Sequence, residues 1–271
     1  MTGLGKRSEE HTTELQSQVL GMKRLKNIQN KIYPVLTIVV VVVIWQLVVG
    51  FQYIQPYILP SPLDIVKTLI SDFGNIMKDT EVTLYESFIG FFISIVFSFV
   101  LAIIMDSFNI VKKSLYPILL ISQTIPTIAI APLFIIWFGF GVLPKIIVVI
   151  MVCFFPIVVN LVDGLEKIDP DYINLFHNMK ASRLQIFYHL KLPYAMVNFF
   201  SGLKIAATYM IMAAIIGEWL GGDSGIGVYM VRAKNAYQLD KVFASIIVIV
   251  VISIAIIYII DFIGKKVIHW R

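Results

Sequence analysis

"NLFHNMKASRLQIFYHLKLP", Asn174 to Pro193, is a basic, amphipathic stretch set between two long apolar runs, Val142 to Val162 and Ala195 to Leu220. Each run is long enough to cross a bilayer, which takes about 20 apolar residues. A segment that only joined two helices would be far shorter. Just upstream, Asp169 and Pro170 read as an N-cap and a first helical residue, with Asp171 placed near the positive helix end. Tyr172, Leu175, Phe176 and Met179 then share one helical face. The helix is expected to stop around Lys180 and Ala181. Ser182 would cap a second helix, Gln185 would complete a capping box, and Leu184, Phe187 and Tyr188 would form its apolar stripe. Pro193 is expected to end this second helix before the next apolar run. Two readings fit the segment: a hairpin held on lipid headgroups by basic residues, or a helix that seats in a groove of a soluble partner through i, i+3, i+4 anchors.

Working outward, the apolar runs dominate. Of 271 residues, 58% are hydrophobic and 14% charged, against about half and about a quarter in soluble domains. Six spans can be read: Tyr33 to Val49, Leu84 to Met105, Leu115 to Phe138, Val142 to Val162, Ala195 to Leu220 and Val242 to Ile263. The chain is an all-α polytopic membrane protein. Its net charge of +5 does not point to nucleic acid, because Lys and Arg collect in alternate loops. Lys23, Arg24, Lys26 and Lys31 precede the first span, Lys112 and Lys113 follow the second, Lys167, Lys180, Arg183 and Lys191 follow the fourth, and Lys265, Lys266 and Arg271 follow the sixth. Basic residues are retained on the cytoplasmic side, so both termini and the opening stretch are expected there. The one cysteine, Cys153, lies inside an apolar run and reads as a small core residue.

Residues 1–21 stand apart. Arg7 to Ser17 is polar, lacks the form of a signal peptide, and is similar to a translated sequencing-library adapter with Thr13 the sole mismatch. The expected native start is Met22, followed by a single transmembrane domain over 22–271 that carries its main cytoplasmic loop at 164–194.

Two further segments shape the reading. "LPSPLDIVKTLISDFGNIM" is expected to form a short outer interfacial helix, capped by Ser61, opened by Pro62, and with Asp64 at the capping-box acid position. The third span holds Pro117, Pro126 and Pro132, with Ser122, Gln123 and Thr124 among them. Proline frees backbone carbonyls that must find partners. Either this is a kinked packing helix or it is a bent helix lining a wet pathway. Gln123, Thr124, Pro126, Glu86 and Glu218 are the candidates for such a pathway. The small residues Ala206, Ala207, Ala213, Ala214 and Gly217 suit close helix packing in the fifth span, and Lys204 is expected to snorkel.

From about Leu59 onward the chain resembles the permease subunits of bacterial ATP-binding-cassette importers, in the branch that carries nitrate, sulfonates, taurine or thiamine-precursor pyrimidines. The resemblance rests on "LPSP", "TLYESFIGF", "SQTIPTIAIAPLFIIWFGFG", "LVDGLEKIDP", "ASRLQIFYHLKLP", "FFSGLKIA" and "GEWLGGDSGIG", in that order and spacing. It implies a type I importer permease fold in the inner membrane of a bacterium, a second permease copy, separate ATPase subunits holding ATP and Mg, and an extracytoplasmic substrate-binding protein. It also makes the opening stretch a coupling helix, with Asp171, Tyr172, Asn174, Leu175, Phe176, Met179, Lys180, Ala181, Ser182 and Arg183 as the ATPase-contacting residues. The family pattern there begins Glu-Ala-Ala and reaches a Gly four residues later. Asn174, Leu175, Phe176 and Lys180 occupy those positions, so the acid and the glycine are both absent. A left-handed residue at the helix end costs a non-glycine roughly 1 kcal/mol or more, and Lys180 must bear that or turn differently.

No G-x-x-x-x-G-K-[ST] loop occurs in the chain. "GGDSGIG", Gly221 to Gly227, is glycine-rich without that context and is expected to be a flexible loop. No catalytic residue, metal ligand or bound cofactor is expected in this chain. Pyrimidine transport is the leading substrate reading, with sulfonate, taurine or nitrate as alternatives. A secondary transporter without ATPase partners is the competing class, and it normally needs ionisable groups near mid-membrane.

Overall fold

The computed structural model describes residues 33–55 and 57–268. The 1–21 segment, the expected start at Met22 and the basic residues ahead of the first span lie outside that range. Two compact units divide between Ile65 and Val66.

In the first unit, α1 (Tyr33–Gly50) is apolar and mostly exposed along its length. The next helix, α2 (Pro62–Ser71), starts as expected: the Ser61 hydroxyl accepts from the Asp64 backbone N–H at 3.2 Å and donates to the Asp64 carboxylate at 2.6 Å. It is shorter than the sequence suggested, however. It stops at Ser71, so Phe73 and Met77 belong to the following helix.

The second unit is a bundle built on three long helices, α3 (Phe73–Ser107), α6 (Val142–Glu166) and α9 (Leu192–Gly221). Lipid tails are as apolar as leucine, so membrane helices are joined by close packing and hydrogen bonds rather than by hydrophobic burial. Small residues supply both here. Gly90 of α3 faces α6 so closely that an added Cβ would sit 2.6 Å from Val149. Ser94 and Ser98 on the same face donate to the Ile150 and Phe154 carbonyls of α6 at 3.1 and 3.2 Å. Between α6 and α9, a Cβ on Gly202 would lie 2.7 Å from the Pro156 carbonyl oxygen. Ala206, Ala207, Ala213 and Ala214 are fully buried on α9, and Cys153 is buried against the Ala206 carbonyl.

The third span is not one kinked helix. It breaks into α4 (Asn109–Ser122) and α5 (Thr127–Phe138), with a bend of 102° between them. Pro126 has no N–H to continue the ladder, and the residue before a proline is pushed out of the helical region. The Ser122 and Thr124 hydroxyls donate back to the Ile118 and Ile121 carbonyls at 2.7 Å each. Among the described residues, five helices are long and apolar enough to cross a membrane, and six if α4 and α5 count as one broken span.

At the α6–α9 connection lie α7 (Pro170–Asn178) and α8 (Arg183–Ile186). Pro193 does not end α8. The chain continues through a π-helical turn, Phe187–Lys191, directly into α9, with the Leu192 N–H donating to the Phe187 carbonyl. The wider turn lets the helix run on past a proline that would otherwise strip a bond and press on the carbonyl four residues back. Two more helices, α10 (Ile226–Asn235) and α11 (Leu239–Val267), complete the unit. Lys204 of α9 is paired rather than only extended toward the interface: it meets Asp261 of α11, which Lys265 also contacts at 2.6 Å.

Candidate functional site

Three features of the second unit carry functional interest. The first is the α7–α8 bend. Asp169 Oδ1 accepts from the Asp171 N–H at 2.9 Å and so caps α7. At the far end, Lys180 takes φ +58°, the Ala181 N–H reaches the Phe176 carbonyl at 3.0 Å, and the Lys180 N–H reaches that of His177 at 2.9 Å. These two bonds form a Schellman closure, so Lys180 adopts the left-handed turn that the family's glycine would serve. Ser182 and Gln185 complete a reciprocal capping box at 3.3 and 2.7 Å. The bend is therefore held by hydrogen bonds at every corner, side chain to backbone at the two caps and backbone to backbone at Lys180. It leaves Tyr172, Leu175, Met179, Leu184 and Tyr188 each more than half exposed, with Asp171, Asn174, Ser182 and Arg183 also exposed and Phe176 and Ala181 half-buried. Lys191 of the π turn pairs with Asp106 of α3 at 2.7 Å, and Lys112 of α4 pairs with Glu166 of α6. The first pair ties the π turn that follows the bend to the end of α3, and the second joins the ends of α4 and α6.

The second feature is a groove of about 520 Å³ at the α4–α5 break, walled by α6 and α9. Gln123 and Thr127 from the break, Met151 and Phe155 from α6, and Tyr209 and Met212 from α9 line it. Of the expected pathway residues, Gln123 faces this groove. The Thr124 hydroxyl instead bonds the Ile121 carbonyl, and Pro126 sets the break.

The third is a buried polar cluster that includes Glu86 and Glu218. The structure packs both acids inside the helices, at 0% and 2% exposure, and neither lines the groove. Glu86 Oε1 accepts from Lys145 Nζ of α6 at 2.5 Å. Glu218 accepts from the Thr83 hydroxyl and from the Gly227 N–H, each at 2.6 Å. Thr83 in turn accepts from the Ile226 N–H at 2.8 Å. Glu218 thus sits on the N-terminus of α10, where free N–H groups and the helix dipole favour an anion. The glycine-rich loop is accordingly latched rather than flexible. Gly225 has φ +113°, and a Cβ there would fall 2.3 Å from the Glu218 carboxyl group. Sequence reading singled out the acids but missed Thr83 and Lys145, which lie 135 and 59 positions from their partners.

Beside this cluster, the Tyr229 hydroxyl donates to Asp72 at 2.5 Å, and Lys241 approaches the same oxygen at 3.3 Å. The Tyr229 bond holds the Asp72 carboxyl below its usual range against the cost of its burial, with Asn75 and Lys241 assisting. Burial, followed by the bond to Asp72, pushes the Tyr229 phenol up.

Residues 94–269 match the family described as binding-protein-dependent transport system inner membrane component. The chain belongs to this family. The permease is 36% identical over 235 residues to the formylaminopyrimidine transport permease protein ThiX of Halalkalibacterium halodurans, covering 85% of this chain and 92% of the relative. It is 27% identical over 235 residues to the putative aliphatic sulfonates transport permease protein SsuC of Bacillus subtilis, covering 86% and 85%. It is 25% identical over 249 residues to the nitrate import permease protein NrtB of Synechocystis, covering 86% and 90%. In fold it is similar to a chain of the MetNI methionine ABC transporter in inward-facing form, with a TM-score of 0.51 and 19% identity over 72% of this chain and 93% of that one. The permease is a multi-pass inner-membrane subunit with the type I ABC importer permease fold.

Proposed function

We propose that the permease works as a homodimer, each copy supplying half of a translocation pathway, and that it imports a thiamine-precursor pyrimidine delivered by an extracytoplasmic binding protein. Separate ATPase subunits, which hold ATP and Mg, seat the α7–α8 bend in a cleft. Their closure on ATP shifts the spans between outward-open and inward-open states. In this reading both termini and the bend are cytoplasmic, as the basic loops suggest. Lipid surrounds the outward faces of the spans, and the chain itself catalyses nothing.

The observation that carries the reading is the bend. A rigidly closed turn that exposes Tyr172, Leu175, Met179, Leu184 and Tyr188 together is built to meet a groove. A structure meant only to rest on headgroups has no need of ion pairs such as Lys191–Asp106 to the spans. The similarity to ThiX favours a pyrimidine over sulfonate, taurine or nitrate.

The test is co-expression of the tagged chain with the reading frames flanking its gene, followed by affinity capture from detergent. An ATPase subunit should be recovered with the native chain and lost with the Leu175→Glu, Arg183→Glu double variant, while that variant still reaches the membrane. Equal recovery with both chains would refute docking through the bend.

A further inference from the structure

The groove at the α4–α5 break has a composition that discriminates between cargo types. Its 15 lining residues include no Asp, Glu, Lys, Arg or His. The Gln123 amide and the Thr127 and Tyr209 hydroxyls reach no hydrogen-bond partner among the described residues, although all three line a cavity. Their depth matters. The break separates two apolar helices bent by 102° from one another, and Tyr209 lies near the middle of the 30-residue α9. Polar groups at that depth are satisfied by a neighbouring helix, by water or by a ligand.

The break also sets the C-terminal end of α4 against the N-terminal end of α5. The Leu119, Ile121 and Ser122 carbonyls at the end of α4 are already taken by the Gln123, Thr124 and Ile125 N–H groups, and the dipole charges of the two helix ends are opposite in sign. An anion therefore finds no charged side chain in the groove, whereas a molecule with both donors and acceptors can pair with the Gln123 amide and the two hydroxyls. Phe155 and Tyr209 add aromatic surface, and Met151 and Met212 add polarizable side chains that adapt to a flat guest. The volume, about 520 Å³, lies within the roughly 300–1,000 Å³ of small-molecule sites.

We infer that this groove is a cargo subsite within the pathway and that it takes an uncharged, hydrogen-bonding heteroaromatic molecule and passes over small anions. The inference rests on the pathway reading above and locates its substrate preference in the chemistry of one groove. The Gln123 amide would pair with a ring nitrogen and an exocyclic amino group, and the hydroxyls would follow either donor or acceptor. Sulfonates and nitrate would find no compensating charge.

The native chain suits a direct test, because its one cysteine, Cys153, is fully buried. Thr127→Cys and Tyr209→Cys would be made separately, on different helices, so that the test survives if one change upsets folding. Each would be labelled in membrane vesicles with a small water-soluble thiosulfonate, with Val251→Cys on the exposed face of α11 as the lipid-facing control. The expected result is labelling at 127 and 209 but not at 251, slowed several-fold by formylaminopyrimidine and unaffected by taurine or nitrate. Protection by the anions would overturn the assigned class. Labelling that no compound slows would overturn the subsite. Absence of labelling at both positions would show that the groove is closed by lipid or by a second copy, and would also overturn it. None of these outcomes depends on ATPase capture, so failure here is separable from failure of the coupling reading.

Discussion

The Glu86–Lys145 pair shows how a single side chain can be costly to lose without being a strong source of stability. Both groups are almost fully buried, so each has given up its hydration for the other. Removing one partner strands a buried charge, whereas replacing both with apolar side chains of similar size is often neutral. Glu86→Ala should therefore destabilise the permease by about 3–5 kcal/mol, while the Glu86→Met, Lys145→Met double variant should lose much less. Thermal unfolding in detergent distinguishes the two. Asp72 and Tyr229 give a pH expectation of a different kind. The lowered Asp72 carboxyl contributes stability that is fully present above its ordinary value of 3.8 and is lost only as pH falls through its lower folded value. The raised Tyr229 phenol contributes stability that is full below its ordinary value of 10.0 and is lost as pH rises through its folded value. This pair should leave stability flat across neutral pH, and Tyr229→Phe should lower it there by about 1–2 kcal/mol, measurable as a shift in melting temperature.

Among the elements, α7 carries its strain at one residue. Lys180 pays for a positive φ that glycine adopts freely, so Lys180→Gly should stabilise the bend by about 1 kcal/mol and raise the melting temperature slightly. The variant should still capture an ATPase, since the exposed apolar face is untouched. The π turn is a different device. Removing one residue from Phe187–Lys191 would convert it to α-helix and turn α7 and α8 by about 100° relative to α9. Such a deletion should leave membrane insertion intact and abolish ATPase capture, which the same affinity experiment reads. The caps of α2, α7 and α8 were legible in sequence because a cap is made by side chains within three residues of the N–H they bond. The 102° break and the continuation past Pro193 were not. Sequence marks where a proline interrupts a ladder, but surrounding helices decide how far the chain bends and whether a wider turn absorbs the defect.

At the scale of the whole bundle, stability rests on how closely the long helices approach. Gly202 lets α9 lie against the Pro156 carbonyl of α6, so Gly202→Leu should force the two apart and cost about 1–3 kcal/mol or more. Gly74 near the start of α3 has open space around it, and Gly74→Ala should be neutral or stabilising by up to about 1 kcal/mol. Comparing the melting temperatures of the two variants tests whether close approach, rather than glycine content, holds the bundle together. The sequence by itself determined the membrane class, five of the six spans, the small-residue face of α9 and the capped bend, because each depends on composition or on groups a few residues apart. Only the tertiary structure decided that Glu86 and Glu218 are buried within the packing, that Thr83 and Lys145 complete their cluster, and that Gln123 and Tyr209 share a groove. Those pairings join residues dozens of positions apart, and they depend on the rotation of each helix about its axis, where a shift of one residue swings a side chain by about 100°.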